Sequence, residues 1–246
     1  MLEEVPLFNK QVSMDGIKFY MQSRKTFLVS SASPLKVLGS TVLGGELRWA
    51  SHIINHSVDK DYRGSDPEED LRRVAEKMQL GRDVLGMMTA VSVTHTVLSH
   101  GKHYNLTVAT LCTAGISNPG VAGSSVGKLL RDSKQGTINL IVLIDGNLTD
   151  AAMVNAVMTA TEAKTRALFK AKISLPGGER ITGTTTDAMV VACTARGETV
   201  FYSGTATDLG YLIGHTVYKA VRQGVDSYLL STGSKYKAAN KKQLLN

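Results

Sequence analysis

Residues 136–164, GTINLIVLIDGNLTDAAMVNAVMTATEAK, constrain the fold of this chain more than any other stretch. Residues 137–144 are apolar and rich in Ile, Leu and Val, the composition of a strand covered on both faces. Asp145-Gly146-Asn147 breaks the run. Thr149 or Asp150 is then placed to cap a helix, since a short side-chain oxygen accepts from the helix's first, otherwise unpaired N–H groups. A strand covered on two faces that feeds a long helix belongs in a layered α/β domain. Polar groups at the end of such a strand and on the next helix are held by a rigid scaffold, a frequent setting for chemistry.

The flanking sequence fills in the layers. Residues 9–31 read as strands, with Asp15-Gly16 as a hairpin turn and TFLVSSAS following. Residues 35–43 read as a further strand ended by Gly44-Gly45. Periodicity alone leaves 46–58 open between strand and helix; Ile53, Ile54 and Val58 and the preceding glycine turn favour the extended form. Asp66-Pro67-Glu68-Glu69 starts a helix with Asp at the N-cap, Pro at the first helical position and an acid at the third, and Gly81 ends it. Residues 83–97 and 102–113 are expected as strands about a short polar turn. Residues 114–128 form a Gly- and Ser-rich loop of a length that is often functional. The central helix runs to about Lys172, and Pro176-Gly177-Gly178 turns the chain. Residues 188–195 make another buried strand, 198–203 a shorter one, and 208–229 the last long helix. The expected fold is a single α/β domain over residues 1–232, a mixed sheet with antiparallel N-terminal hairpins and long helices packed on it. Residues 233–246 form a basic tail.

The formal charge of +7 is largely a property of that tail, because Lys235, Lys237, Lys241 and Lys242 account for four of the charges and leave +3 on the body. No aromatic residues interleave with basic ones at the spacing of an RNA-binding module, so no nucleic-acid partner is expected. The first ten residues carry two acids and no apolar core of signal length, and no run approaches the roughly 20 apolar residues of a membrane span. The expectation is a cytoplasmic protein with no membrane partner. Cys112 and Cys193 each sit in an apolar segment and read as buried free thiols of a reducing compartment.

Several motifs invite sharper readings. Gly127-Lys128 ends like a phosphate-binding loop, but Ala122 stands at the first glycine's place and Leu129 where a magnesium-binding hydroxyl belongs. Residues 123–127, GSSVG, match a nucleophile elbow by letter with Ser125 at its centre, without the strand that must precede it. His52 and His56 would share one metal on a helix, but on a strand they lie roughly 13 Å apart at ~3.3 Å per residue. No protein-held metal and no cofactor are therefore expected. Asn155, Thr159, Glu162 and Arg166 form one helical row, most simply a solvated face with a Glu–Arg pair. Lys164 shares its row with Val157, Thr161 and Leu168 and faces the core or a cleft wall, where its stem snorkels or its charge holds an anion. Residues 182–187, TGTTTD, put four hydroxyls and a carboxylate before a buried strand, and Gly183 permits close backbone approach. In the last helix, His215 shares a row with Tyr211, Tyr218 and Arg222; it is a structural histidine or a general base.

Taken together, GTINLIVLIDGNLTDAAMVNAVMTATEAKTRAL, TGTTTDAMVVA and SGTATDLGYLIGHTVYKAV resemble the adenosylcobinamide amidohydrolase family. SSASPLKVLGSTVLGG, IINHSVDKDY, DPEEDLRR, LGMMTAV and AGISNPG resemble it too, in the same order, over roughly residues 28–222. The resemblance implies hydrolysis of the amide joining the aminopropanol arm of adenosylcobinamide to the corrin ring, giving adenosylcobyric acid for coenzyme B12 salvage. The partner it implies is a corrinoid substrate, and the assembly is a monomer or a homo-oligomer.

Amide hydrolysis needs a nucleophile, a base, donors for the developing oxyanion and an acid for the leaving amine. The expected base is Glu162 or Asp187 acting on water, with Asp145 next. Lys164 and the hydroxyl of Thr184 or Thr186 would stabilise the oxyanion. A threonine nucleophile at 184–186 served by Asp187 or His215 is the alternative chemistry. Asn55, Asn118, Asn147 and Asn155, with Asp145, are expected to bind the substrate's amides. A non-catalytic binder of a corrinoid or another large polar ligand uses the same residue types equally well. Glu162 and Lys164 project about 200° apart on an ideal helix, so they cannot both face one cleft.

Overall fold

The protein is described here as a computed structural model covering residues 2–124, 136–175 and 177–233. The N-terminal part contains β1 (Leu2–Glu4), α1 (Pro6–Gln11), β2 (Ile17–Gln22), β3 (Thr26–Gly39), β4 (Leu47–Ser57), α2 (Pro67–Lys77) and β5 (Val84–Thr89). A hairpin of β6 (Val97–His103) and β7 (Leu106–Ala114) follows, then the short β8 (Pro119–Gly120). The central unit is β9 (Ile138–Asp145), β10 (Asn147–Leu148) and α3 (Asp150–Lys170). The chain continues through β11 (Gly183–Thr184), β12 (Ala188–Cys193), β13 (Thr199–Val200) and α4 (Asp208–Thr232).

One mixed sheet organises these elements, in the order β1-β2-β3-β12-β9-β7-β6, with β4 and then β5 branching from β3. The β9–β12 and β4–β5 pairs are parallel; the other neighbours in this sheet are antiparallel. Strand β3 is the fold line. Its first half pairs with β2 and its last four residues with β12, while β4 follows it across an irregularity between Ser30 and Leu35. A bulge of this kind bends and twists a strand. The sheet therefore curls into two layers that face each other.

Side-chain alternation shows what each face meets. On β9, Leu140, Val142 and Ile144 pack under α3 and α4, whereas Ile141 and Leu143 point into the space between the layers. Phe19, Phe27, Ile53 and Met87 fill that space from the opposite side. Helix α2 covers the outer face of the second layer by burying Leu71 and Ala75 on Leu28 and Ile54. The result is helix, sheet, sheet, helix. Each fully buried Leu, Ile or Phe contributes about 1.5–3 kcal/mol, so the two-faced strand identified in the sequence is the natural centre of the core.

The expected α/β domain with a mixed sheet and packed helices is present, with several local corrections. Residues 9–14 are not a strand: Pro6 opens α1, which runs to Gln11, and Val12 and Met14 beyond it are buried. Gly16, at φ +75°, closes a tight turn instead of a hairpin, with Ile17 N–H donating to the Met14 carbonyl. The hairpin turn lies at Ser23 and Arg24, both in the left-handed region (φ 51° and 58°). Residues 35–39 are the end of β3 rather than a separate strand, and the strand stops there. Within the 83–97 segment the strand β5 covers only Val84–Thr89; a single 3₁₀ turn at Val93–His95 follows, and Val97 already begins β6. The polar turn expected near residues 98–101 is inside β6. Gly101 is there for packing, since a Cβ on it would come 3.1 Å from Leu212 of α4. Ser125, Lys128 and the four tail lysines lie outside the described residues. Among the described residues, no helix is long and apolar enough to cross a membrane.

Candidate active site

The site follows from an equality of lengths. Strand β9 carries the chain about 23 Å from Ile138 to Asp145 at ~3.3 Å per residue. Thr149 caps α3 by accepting from Ala152 N–H at 3.1 Å, and the helix then runs back along the sheet. Lys164 lies 14 residues into that helix, about 21 Å at 1.5 Å per residue, which returns it to the start of β9. Strand β12 is parallel to β9, so its own start is at the same end, and Asp187 immediately precedes it. The ammonium of Lys164 meets Asp187 Oδ2 there. Their side chains are only 11% and 15% exposed.

The other carboxylate oxygen, Asp187 Oδ1, is crowded with donors. It accepts from Ile138 N–H and Thr184 N–H, each at 3.1 Å, and from the Thr184 hydroxyl. Gly183 makes the approach possible: a Cβ on it would lie 2.5 Å from Asp187 Oδ2 and 3.0 Å from Lys164 Nζ. The free approach expected for Gly183 in the sequence is used to wrap the backbone around the ion pair.

Next to this cluster, β8 pairs with β11 and brings Asn118 to the threonines. Asn118 Nδ2 donates to Thr185 Oγ1 at 2.8 Å and to Thr186 Oγ1 at 3.3 Å. Thr186 spends its own hydroxyl proton on the Gly136 carbonyl at 2.8 Å. It therefore acts as acceptor toward Asn118, which fixes the amide orientation and leaves the buried Asn118 Oδ1 without a partner among the described residues. A buried acceptor left unpaired costs about 1–3 kcal/mol, a cost commonly tolerated where a ligand supplies the donor.

A second polar chain runs inward from the same end. The Thr137 hydroxyl lies 2.8 Å from the Thr186 carbonyl and 2.9 Å from Asn139 Oδ1. Asn139 Nδ2 donates to Asn55 Oδ1 at 2.9 Å and to the Met88 carbonyl at 2.8 Å, and Asn55 Nδ2 donates to Thr113 Oγ1 at 3.0 Å. This network crosses between the two sheet layers. Asn139 was not anticipated from the sequence, although one amide inside an otherwise apolar strand run is a usable signal, because buried polar groups are found paired.

The structure thus joins Lys164, Thr184, Thr186, Asp187 and Asn118 in one place and links Asn55 to it from within. Other expected residues lie elsewhere. Asp145 and Asn147 are at the far end of β9, some 23 Å away by strand rise. There Asp145 accepts from Thr194 Oγ1 at 2.8 Å and from Arg196 at 2.9 Å, and Asn147 donates to Thr199 at 3.2 Å. Asn155 is nine residues before Lys164, about 13 Å back along the helix toward that same far end. Glu162 is exposed on the outer face of α3, as the 200° separation from Lys164 requires. The row it belongs to is not wholly solvated: Thr159 is buried and donates to the Ser203 carbonyl, and Arg166 lies over the Tyr218 ring at 4.7 Å. His215 stacks on Tyr211 at 5.7 Å on α4, and burial followed by the nearby Lys219 lowers its pKa.

His52 and His56 lie on extended β4, where their Nδ1 atoms meet the cross-strand hydroxyls of Ser30 at 3.2 Å and Thr26 at 2.8 Å. Among the described residues, no three His, Cys, Asp or Glu side chains converge as a metal site would require. Both cysteines are free and buried. Burial pushes the Cys112 thiol far up, and the nearby Asp187 charge pushes it further, so it is inert.

Comparison with known proteins matches residues 10–232 to the adenosylcobinamide amidohydrolase (CbiZ) family. The chain belongs to this family. It is 30% identical over 196 residues to an adenosylcobinamide amidohydrolase of Methanosarcina mazei, spanning 76% of this chain and 88% of that one. A protein of the same name from Halobacterium salinarum is 43% identical over 124 residues, 49% of this chain and 51% of its own length. Among solved structures, the PH0078 protein of Pyrococcus horikoshii aligns with a TM-score of 0.43 at 12% identity, covering 81% of this chain and 76% of that chain. Family membership makes this chain an amidohydrolase, and Lys164, Thr184, Asp187 and Asn118 all fall within the matched span.

Proposed function

We propose that this amidohydrolase cleaves the amide joining the aminopropanol arm of adenosylcobinamide to the corrin ring, releasing adenosylcobyric acid for return to coenzyme B12 synthesis. The observation that carries the site assignment is Asp187, which collects Lys164 and Thr184 at the start of two parallel strands. A carboxylate in hydrogen-bond contact with a hydroxyl provides the base and proton carrier that amide hydrolysis needs. The remaining ammonium hydrogens of Lys164 supply positive charge for the developing oxyanion. Asn118 Oδ1 is proposed to accept an N–H from one of the substrate's amides, which would satisfy its buried lone pairs. Residues 1–232 are the proposed working unit, with 233–246 dispensable for turnover.

Incubation of the purified protein with adenosylcobinamide, followed by chromatography for adenosylcobyric acid and free aminopropanol, tests the reading directly. Both products are expected in equal amounts. A parallel incubation with EDTA reports whether a protein-bound metal takes part. Tight corrinoid binding with the ligand recovered unchanged would establish a binder in place of a hydrolase.

A further inference from the structure

We propose that the Thr184 hydroxyl is the nucleophile, so that hydrolysis passes through an ester on Thr184 Oγ1 rather than by direct attack of water. The inference rests on the amide-hydrolysis reading above and deepens it. A carboxylate offers about four acceptor positions in all. Asp187 Oδ1 already receives three donors: two peptide N–H groups and the Thr184 hydroxyl. Oδ2 receives Lys164, and a methyl group added to Gly183 would stand 2.5 Å from it. The carboxylate is thereby crowded with donors, and the Thr184 hydroxyl is one of them. Of the groups that do touch the carboxylate, peptide nitrogens and an ammonium cannot attack carbon. The hydroxyl can, and its proton already points at the base. A nucleophile bonded to its base, with the base fixed by further donors, is the arrangement that activates Ser and Thr in other hydrolases.

The step balances as follows. Thr184 Oγ1 bonds to the amide carbon, its proton passes to Asp187 Oδ1, and the carbonyl π pair moves onto the oxygen. The pair then returns, the carbon–nitrogen bond breaks, and the leaving aminopropanol nitrogen takes the proton from Asp187. What remains is an ester of the corrin side-chain acid on Thr184. Esterification removes the hydroxyl hydrogen from Oδ1, and the vacated position admits a water. That water gives Asp187 its proton and attacks the ester, whose carbon–oxygen bond breaks, and Thr184 Oγ1 takes the proton back. One water is consumed, and an acid and an amine are formed.

The test uses the full-length protein and adenosylcobinamide. Acid quenching within the first turnover, with peptide mass mapping, is expected to show a corrinoid acyl adduct on the peptide containing Thr184. Hydroxylamine added during turnover is expected to divert the acyl group to a hydroxamate without slowing aminopropanol release. T184V should lose turnover by at least about 10³-fold while keeping corrinoid binding, read by visible absorbance, because it lacks only the attacking oxygen. T184S should remain active and carry the same adduct at position 184. T184V within about tenfold of wild type, or turnover with neither adduct nor hydroxamate, overturns the ester and leaves amide hydrolysis standing. Wild-type protein that releases neither acid nor amine overturns both.

Discussion

Lys164 reaches Asp187 from a helix that begins at the opposite end of the sheet, 23 residues away in sequence, and the pair is nearly sealed from solvent. Its position depends on β9 and the first two-thirds of α3 having matched lengths. An insertion in either would separate the two charges.

Removing one partner of a pair this buried leaves the other uncompensated. K164M is expected to destabilise the fold by about 3 kcal/mol and to abolish turnover. K164R should fail to rescue it, because the ammonium sits so close over Gly183 that even a Cβ there would come within 3.0 Å of it, and a planar guanidinium does not fit the same place. Urea melts of the two variants check the first statement, and product formation checks the second.

G183A forces a methyl group against both Asp187 Oδ2 and Lys164 Nζ. Overpacking of this kind costs about 1–3 kcal/mol, and the displaced carboxylate is expected to lower kcat much more than it lowers stability. A folded, corrinoid-binding variant with normal kcat would show that the ion pair is not part of the chemistry.

D187N and E162Q separate the two carboxylates first considered as bases. D187N should lose about 10²–10⁴-fold in kcat, the usual contribution of a positioned acid–base group. E162Q, on the outer face of α3, should stay within about twofold of wild type. Steady-state aminopropanol release measures both, and the reverse ranking would move the site to the other side of the helix.

These contrasts show what the sequence allowed to be read. The apolar run of β9, the Thr149 cap and the Asp66-Pro67 helix start are local signals, and the structure uses each as expected. The pairing of Lys164 with Asp187 was half legible. Helical phase excluded Glu162 and Lys164 from sharing one cleft, but only the return of α3 along β9 brings residue 164 beside 187. Asp145 stands at the carboxyl end of a parallel strand, the usual ligand-binding end. The Lys164–Asp187 cluster lies instead at the amino ends of β9 and β12, and Asp145 is occupied by Arg196 and Thr194. The Ser23-Arg24 turn and Tyr104 at φ 51° carry no Gly, Asn or Asp at their left-handed positions, so composition gave no warning of them.

Asn55 and Asn139 are expected to be coupled energetically. Either single change to Ala should cost about 1–3 kcal/mol by leaving a buried amide group unpaired. The double variant should cost less than the sum of the two, by about 1 kcal/mol. Strict additivity in denaturant melts would mean that the two amides act independently despite their 2.9 Å contact.

Acid should weaken the fold through β4. Burial lowers the pKa of both His52 and His56 from the ordinary 6.5. The unfolded chain therefore binds more protons than the native one just below that value, and stability falls as pH drops through 6.5. Urea midpoints at pH 8 and pH 5.5 should differ in that direction. An H52Q/H56Q double variant, which keeps polar groups beside Ser30 and Thr26, should flatten the difference.

The long β3 has a consequence for synthesis. Its first half gains β2 and β4 as neighbours almost at once, but the edge at Lys36–Gly39 is completed by Val190–Cys193. A ribosome adding about 5–20 residues per second needs roughly 8–30 s to make the intervening stretch of some 150 residues. For that time the nascent chain carries a bare strand edge beside an apolar layer, the combination most prone to pairing with a neighbouring copy. Yield of folded protein should therefore fall with expression level, and holding chaperones that cover that edge should restore it.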